Sequence, residues 1–449
     1  MNILNLEGWD VLQLEDRNGE YYVTAQPSTA NHVCPKCGST NLYNFGRRKE
    51  LVMDLPMHGR RVGIRASRRR FRCRECSLTF VEALPFVDSK HRATTRLVEW
   101  IAQQSLSRTF ASVADEIGVG ETMVKRIFDE HVAALNEEWE KTVETPRYLG
   151  IDELRLAGGT RAILTNVEQA SVIDLLSKRD MRTVAARISR MPNRERIEVV
   201  TIDMWWQYRQ ACRDVLPQAQ VVVDKFHVER MATLGLETVR RGLREELSKP
   251  QRRQLKKDRY LLLSRPHRLT EEDWFILDTW TENFPVLKQA WDLKEAFFRV
   301  YDEGTPDTAG EMLDAWIASI PKDMRPAFKP LTTAVGNWLK EILAFFTHRV
   351  TNAYTEGLNG LAKMANRQGR GHAFETIRAK VLFHIGLHRV RRPGFAKSET
   401  YWEIKPDVRW VPARDLTALQ EIIQNSLDAY ISDGWLSTGE DSPEEDGEG

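Results

Sequence analysis

The sequence lacks the long apolar segments of a membrane protein and the many cysteines of a disulfide-stapled one. None of its apolar runs approaches the roughly 20 residues that a membrane-spanning helix needs. Its start, MNILNLEGWDV, has neither the basic region nor the apolar core of a signal peptide. Only five cysteines occur in 449 residues, and four of them form two Cys-x-x-Cys pairs. We therefore expect a mature cytoplasmic protein whose cysteines bind metal in a reducing compartment.

Net charge is also nearly absent, since 65 basic residues oppose 64 acidic ones. The charges are nevertheless segregated along the chain. Residues 46–74 hold eleven Lys or Arg against two acids, residues 235–268 eleven against four, and residues 361–392 eight against one. Residues 439–449 hold six acids and no base. Each basic segment alone could be a solvated face, but separated basic patches on a neutral chain indicate a polyanion partner.

The four paired cysteines predict a zinc ribbon. Two Cys-x-x-Cys turns, separated by 35 residues, would each direct two sulfurs at one ion and so close a tetrahedral thiolate site. The predicted ligands of one structural zinc ion are Cys34, Cys37, Cys73 and Cys76. The alternative is two unrelated pairs of reduced, buried cysteines.

The segment between the cysteine pairs alternates apolar residues and arginines, which predicts an antiparallel hairpin that displays arginines. Val62, Ile64 and Ala66 would form its apolar face. Such a ribbon would hold phosphates rather than read bases. A purely structural ribbon remains the alternative.

A change to helical periodicity after residue 92 predicts a helix-turn-helix. A short helix would end at Gly118, a natural helix terminator, and a second would begin near Gly120. The second helix of such a motif enters the major groove of DNA, although an ordinary helical hairpin has the same pattern. We further expect a linker helix over residues 136–145. The residues predicted to contact DNA, from hairpin and helix together, are Arg68, Arg69, Arg70, Arg72, Thr122, Lys125 and Arg126.

Two short apolar runs, Val199–Ile202 and residues 221–223, each end at an aspartate, Asp203 and Asp224. A helical stretch separates them, so the pattern is that of a parallel sheet buried on both faces. Such sheets carry their chemistry at the carboxyl ends of their strands. Asp203 could alternatively cap the following helix.

Asp152 lies in an earlier apolar strand, the first of a β-β-β-α-β-α-β series that is typical of a ribonuclease H-like fold. That fold places its first and fourth strands side by side, so Asp152 and Asp203 would face each other. Two close carboxylates are costly unless a cation neutralises them. Paired Mg²⁺ or Mn²⁺ ions bridged by acidic oxygens would do so.

Residues 228–350 predict a long helical insertion, whose five tryptophans we expect in its core. After it, Glu356, Asn359 and Lys363 recur at helical spacings of three and four and share one face. The acidic and amide side chains could bind a metal ion, and the basic side chain one turn later could bind a phosphate group. An exposed polar face is the alternative.

Several motifs occur together, in one order: the zinc ribbon, the helix-turn-helix, the acids Asp152, Asp203 and Glu356, the pair Asp224-x-x-His227, and the segment TNAYTEGLN from Thr351 to Asn359. This combination resembles the DDE transposases of bacterial insertion sequences, in the family often called ISL-three, over residues 30–392. The resemblance implies that the three acids hold two divalent ions. It implies a supporting role for Asp224, His227, Asn352 and Asn359.

The resemblance further implies an enzyme that binds terminal inverted repeats as duplex DNA, hydrolyses the terminal phosphodiester and directs the freed 3′-hydroxyl at target DNA. Because two transposon ends are processed together, we expect a homodimer or larger assembly on DNA, located at the bacterial nucleoid. Two other functions remain open: a DNA-binding regulator without catalysis, and a ribonuclease H-like nuclease without strand transfer.

The predicted fold is a multidomain α/β protein with a mixed-sheet core. We expect the zinc ribbon over residues 1–90 and the helix-turn-helix with its linker over 91–146. The ribonuclease H-like core would occupy 147–230 and 350–395, interrupted by an all-helical insertion over 231–349. A C-terminal segment with the acidic tail would follow over 396–449.

Overall fold

The structure is a computed structural model that describes residues 4–28, 32–369 and 371–386. The chain forms two compact units. The first contains the described residues up to Val143, together with 368 and 369. The second contains Glu144–Arg367 and the described residues from Gly371 onward. The acidic tail over 439–449 and the end of the third basic segment lie outside the described residues.

The first unit begins with a seven-stranded sheet. Its strands are β1 (Trp9–Arg17), β2 (Glu20–Pro27), β3 (Leu42–Met57), β4 (Arg60–Cys73), β5 (Thr79–Val81), β6 (Val87–Asp88) and β7 (Ala93–Thr94). Their order is β1-β2-β4-β3-β7-β6, with β5 paired to β4. The hairpin of β1 and β2 has no counterpart in the sequence analysis.

Strands β3 and β4 form the predicted antiparallel hairpin. His58 and Gly59 both have positive φ angles, as the tight turns of hairpins require. Val62, Ile64 and Ala66 are almost fully buried, whereas Arg61, Arg65 and Ser67 are half-buried. The period-two pattern therefore identified the core face of this strand correctly.

Three helices complete the first unit: α1 (Thr95–Ser107), α2 (Phe110–Ile117) and α3 (Glu121–Thr142). Thr109 caps α2 by accepting a hydrogen bond from the Ser112 N–H, and Gly118 ends it with a φ of 81°. The predicted pair of helices around a glycine turn is confirmed. The linker helix predicted over residues 136–145 is the C-terminal part of α3, which ends at Thr142, because no glycine or proline interrupts residues 121–142.

The second unit is built on a five-stranded sheet of order β10-β9-β8-β11-β12. Its strands are β8 (Tyr148–Leu156), β9 (Gly159–Asn166), β10 (Ser171–Leu176), β11 (Val199–Ile202) and β12 (Gln220–Val223). The first three form an antiparallel meander, and β11 lies parallel to both β8 and β12. Helix α4 (Met181–Ser189) follows β10, and α5 (Trp206–Val215) connects β11 to β12. The predicted adjacency of the first and fourth strands is confirmed.

An all-helical segment follows β12, as predicted. It contains α6 (Lys225–Gly242), α7 (Lys249–Lys257), α8 (Arg259–Leu263), α9 (Glu271–Asn283), α10 (Pro285–Glu303), α11 (Ala309–Ser319) and α12 (Arg325–His348). Helices α10 and α12 pack against α6. Trp280, Trp291, Trp316 and Trp338 are buried and Trp274 is half-buried, so these tryptophans build the core of the insertion.

The chain then returns to the sheet through α13 (Ala353–Gln368), α14 (Phe374–Lys380) and a π-helical turn over Val381–Ile385. Short 3₁₀ turns occur at Arg194–Arg196, Leu243–Glu245 and Pro266–Arg268. Across the part of the chain that the structure describes, no helix has the length and apolar character needed to span a bilayer.

Candidate active site and zinc centre

The four paired cysteines meet at one point. Their sulfur atoms lie within 4.8 Å of one another, with Cys34 Sγ 3.5 Å from Cys76 Sγ and Cys37 Sγ 3.6 Å from Cys73 Sγ. A tetrahedral zinc ion with Zn–S bonds of about 2.3 Å would separate sulfurs by roughly 3.8 Å. The cluster therefore has the ligands and the size of a structural zinc site.

The fifth cysteine, Cys212, is buried on α5 and forms no disulfide. Burial raises the pKa of its thiol to about 12, so it stays protonated at neutral pH.

The structure divides the predicted DNA-contacting arginines of the hairpin into two classes. Arg68 forms an ion pair with Glu50 at 2.9 Å, and Arg69 forms one with Glu82 at 3.1 Å. Both guanidinium charges are therefore balanced inside the unit, which suits a structural role.

Arg70 and Arg72 differ from this pair. Their guanidinium groups lie over the ring of Phe45, at 5.0 and 6.0 Å from its centroid, and Arg74 lies over Tyr43 at 5.4 Å. Among the described residues, no carboxylate lies within ion-pair distance of these three arginines. Sequence reasoning missed the two aromatic residues, although their alternation along β3 was a usable signal.

On α3, the predicted contact residues Thr122, Lys125 and Arg126 are exposed. Lys125 also pairs with Asp129 one turn later, at 2.5 Å, and Arg126 lies 3.0 Å from the Nδ1 atom of His91. An exposed ion pair of this kind contributes little to stability, so DNA can replace it at low cost.

Three aspartates lie at the same level of the central sheet. Ile151 in β8 pairs with Ile202 in β11, and Ile202 pairs with Val223 in β12. The next residue along each strand is an aspartate, so Asp152, Asp203 and Asp224 occur side by side.

The side chain of His227 lies among these aspartates, in the first turn of α6. Its Nδ1 atom is 3.2 Å from Asp203 Oδ1 and 3.4 Å from Asp224 Oδ2. Burial alone would lower the pKa of His227, but the hydrogen bond to Asp224 and the charges of Asp203, Asp224 and Asp152 raise it to about 9. The surrounding acids thus favour the protonated form of the ring.

Ligand atoms of Asp152, Asp203 and His227 all lie within 4.8 Å of one another. Burial raises the pKa of both aspartates, and the charge of Asp152 raises the pKa of Asp203 further. A divalent cation would favour the ionised form of both carboxyl groups, so this cluster suits metal binding.

Glu356 lies on α13 and belongs to a second group, with Asp224 and His227, whose ligand atoms also lie within 4.8 Å of one another. His227 belongs to both groups and so connects Glu356 to Asp152 and Asp203. Lys363 is exposed on the same helix.

Two asparagines join α13 to the site. The backbone N–H of buried Asn352 donates to Asp224 Oδ1 at 3.3 Å, and its Nδ2 donates to the carbonyl of Ile151 at 3.3 Å. The Nδ2 of Asn359 donates to Asp152 Oδ2 at 2.6 Å. Both residues therefore hold aspartates of the cluster in position.

Comparison with known protein families decides what this arrangement belongs to. Residues 149–381 match a transposase family, the DDE transposases of ISL3 type. The chain belongs to the ISL3 family of transposases. Residues 30–76 match the zinc finger of the transposases of IS204, IS1001, IS1096 and IS1165, and residues 82–132 match the helix-turn-helix domain of ISL3 transposases. The family expected from the motifs is confirmed, and so is a transposase with a DNA-binding helix-turn-helix domain.

A relative is the transposase for insertion sequence element IS1001 of Bordetella parapertussis. It is 26% identical over 371 residues, which cover 80% of this chain and 89% of the relative. The similarity thus covers most of the length of this ISL3 transposase.

Gly150 is a residue of the transposase site that the sequence analysis missed. A Cβ atom at this position would lie 2.4 Å from Thr165 Oγ1 and 2.6 Å from Asn352 Oδ1. Thr165 in turn bonds Thr355 of α13 at 2.8 Å. The start of α13 therefore packs directly on the backbone of β8, which only glycine permits here. An isolated glycine in a strand was the available signal.

The interpretation of Asp203 as a helix cap is wrong. Helix α5 begins at Trp206 after the capping position Trp205, and no side chain caps it. The Asp203 carboxyl instead faces His227 and Asp152.

Proposed function

We propose that this ISL3 transposase cuts DNA at the ends of its element with two divalent ions, Mg²⁺ or Mn²⁺, held by Asp152, Asp203 and Glu356. The freed 3′-hydroxyl would then attack target DNA. The observation that carries the proposal is the meeting of buried Asp152 and half-buried Asp203 around His227, at the level where β11 and β12 end.

The donor set suits hard cations. Mg²⁺ and Mn²⁺ prefer carboxylate oxygens. When bound, such ions activate the attacking oxygen and stabilise the leaving oxygen of an in-line displacement. Glu356, itself exposed in the first turn of α13, contributes a further carboxylate close to His227.

The remaining polar residues hold these ligands. Asn359 donates to Asp152, which fixes the orientation of that carboxyl group. Asp224 is fully buried and accepts from the Asn352 N–H, so it supports His227 and α13 rather than facing substrate. Loss of such an orienting partner weakens a metal site without removing it.

Recognition of DNA would come from the first unit. Arg70 and Arg72 have no carboxylate partner among the described residues and would contact phosphates, whereas Thr122, Lys125 and Arg126 on α3 would lie at base edges. We propose terminal inverted repeats as the recognised duplex. Arg68 and Arg69 are assigned to the fold of the hairpin because Glu50 and Glu82 pair with them.

For the domain organisation we retain the proposed boundaries: 1–90 and 91–146 for the two DNA-binding modules, 147–230 with 350–395 for the core, and 231–349 for the insertion. Because two ends are processed together, the active species would be a homodimer or larger assembly on DNA, at the bacterial nucleoid.

The test is incubation of the full chain with a plasmid that carries the DNA flanking its own gene, with and without Mg²⁺. We expect Mg²⁺-dependent cuts at the element boundaries and joined products in target DNA. Boundary cuts without joined products would identify a nuclease instead. DNA binding without any cuts, with or without Mg²⁺, would identify a regulator.

A further inference from the structure

Trp206 is the one mostly exposed tryptophan among the ten that the structure describes. Its exposed fraction is 58%, whereas the other nine are buried or half-buried. It is the first residue of α5 and lies three positions after Asp203. A large apolar ring exposed next to a catalytic cluster suggests a role in binding substrate.

The turn that presents Trp206 is fixed by its neighbours. The backbone N–H of Trp205 donates to the carbonyl of Asp203 at 2.7 Å. The Trp205 ring lies 4.4 Å from the Arg179 guanidinium and 4.7 Å from the Tyr208 ring. Trp205 therefore packs against its neighbours and holds the turn, whereas the ring of Trp206 is exposed to solvent.

A further contact holds the start of α5. The Gln207 Oε1 accepts a hydrogen bond from the backbone N–H of Met181 at 3.2 Å, which joins α5 to α4. Because the turn is held on both sides of Trp206, its ring needs little further ordering when it binds. Such preorganisation favours binding.

We propose that Trp206 stacks on a nucleobase of the element end, next to the bond that is cut. Three residues of chain span at most about 11 Å, and successive bases of a strand lie about 3.4 Å apart. The ring can therefore reach a base within about three nucleotides of a phosphate bound at Asp203. The proposal rests on the metal-dependent cleavage proposed above.

The surroundings favour a base over a protein partner. Beyond the anchored Trp205, the neighbours of Trp206 on α5 are polar: Gln207, Arg209 and Gln210. The other exposed large apolar residues of the second unit lie on α6, α8, α9, α12 and α13 rather than on this turn. A single exposed ring among polar groups suits the flat face of one base.

Cleavage rates distinguish base stacking by Trp206 from a general effect of removing an exposed aromatic side chain. Trp206→Ala should slow Mg²⁺-dependent cleavage of an element end by roughly 5- to 150-fold, the usual effect of losing one base–aromatic stack. Trp206→Phe keeps a ring and should retain most of the rate. Phe275→Ala, at an exposed phenylalanine of α9, is the matched control and should cleave like the wild type.

Crosslinking detects the contact directly. End duplexes carrying 5-iodouracil at each of the last three positions are bound to the full chain without added Mg²⁺ and irradiated. We expect the crosslink at one position to map to Trp206 by mass spectrometry.

Several results would overturn the stacking proposal. The proposal is overturned if the wild type and Trp206→Ala cleave equally. It is also overturned if Trp206→Phe fails to restore the rate, or if no crosslink maps to Trp206. Loss of the protein–protein assembly in Trp206→Ala by light scattering would overturn it too, since that would identify a partner contact. A wild type that fails to cleave would instead refute the proposed metal chemistry.

Discussion

At the scale of single residues, burial and hydrogen-bond partners distinguish Asp203 from Asp224, although each aspartate follows the end of a buried parallel strand. The Asp224 side chain is fully buried, and its oxygens contact the Asn352 N–H and the His227 ring. The Asp203 side chain is 15% exposed and shares its surroundings with Asp152. A carboxylate with both oxygens engaged orients its neighbours, whereas a partly open one can bind an ion.

Asp224→Asn should therefore leave measurable cleavage, about 10- to 100-fold below the wild type. Asparagine preserves the shape and removes the charge that raises the pKa of His227. Single-turnover cleavage of an end duplex measures the loss. Rates equal to the wild type would show that Asp224 does not orient the site.

The cysteines make a second prediction at this scale. The purified protein should contain one zinc ion per chain, and Cys73→Ser should lose it, because three thiolates cannot close the tetrahedral site. Cys212→Ala is the matched control and should keep zinc, since its buried thiol lies apart from the cluster on α5. Metal analysis decides the matter, and zinc retained in Cys73→Ser would contradict the assignment.

At the scale of elements, local patterns predicted what local physics determines. The two apolar runs that end at aspartates predicted β11 and β12, and also that Asp203 and Asp224 lie at the ends of these strands. The reason is that a strand buried on both faces must be apolar, so its charged residues must lie at its end. Gly118 predicted the helix-turn-helix turn for a similar reason.

Tertiary contacts were beyond such patterns. The grouping of Glu356 with Asp224 depends on how α13 packs on the sheet, and that packing depends on the missing side chain of Gly150. The pairing of Arg68 with Glu50 joins neighbouring strands in a register that composition does not reveal.

Gly150→Ala should displace the start of α13, because a methyl group has no room between Thr165 and Asn352. We expect a loss of about 1–3 kcal/mol in the free energy of unfolding and a clear fall in cleavage rate. Gly336→Ala on α12 is the control, since a Cβ there meets nothing within 4 Å. Denaturant unfolding and cleavage assays measure both, and equal behaviour of the two variants would refute the close packing.

The division of the hairpin arginines is also testable. The double change Arg70→Ala, Arg72→Ala should weaken duplex binding and reduce the slope of log affinity against log salt by about 1.8, or about 0.9 for each phosphate that is no longer neutralised. Arg68→Ala should lower the melting temperature and leave the slope nearly unchanged, because Glu50 already balances its charge. A slope that falls equally in both variants would show that the hairpin binds DNA through all its arginines.

At the scale of the whole molecule, the chain contains two units that we assign to different tasks. The first holds a zinc centre, a hairpin with arginines stacked on aromatic rings and the exposed face of α3, all suited to duplex DNA. The second holds the acid cluster, with a long helical insertion between β12 and α13. The same chain matches the ISL3 family models for the zinc finger, the helix-turn-helix domain and the transposase.

The most direct measurement is Mg²⁺-dependent cleavage of the element's own ends by the full chain and by Asp203→Asn, with end binding measured in parallel. Asparagine keeps the fold and removes the carboxylate beside Asp152, so the account predicts normal binding and no cleavage by Asp203→Asn, while Asp224→Asn still cuts. Cleavage by Asp203→Asn together with an inactive Asp224→Asn would show that the second metal ligand lies on β12 rather than β11.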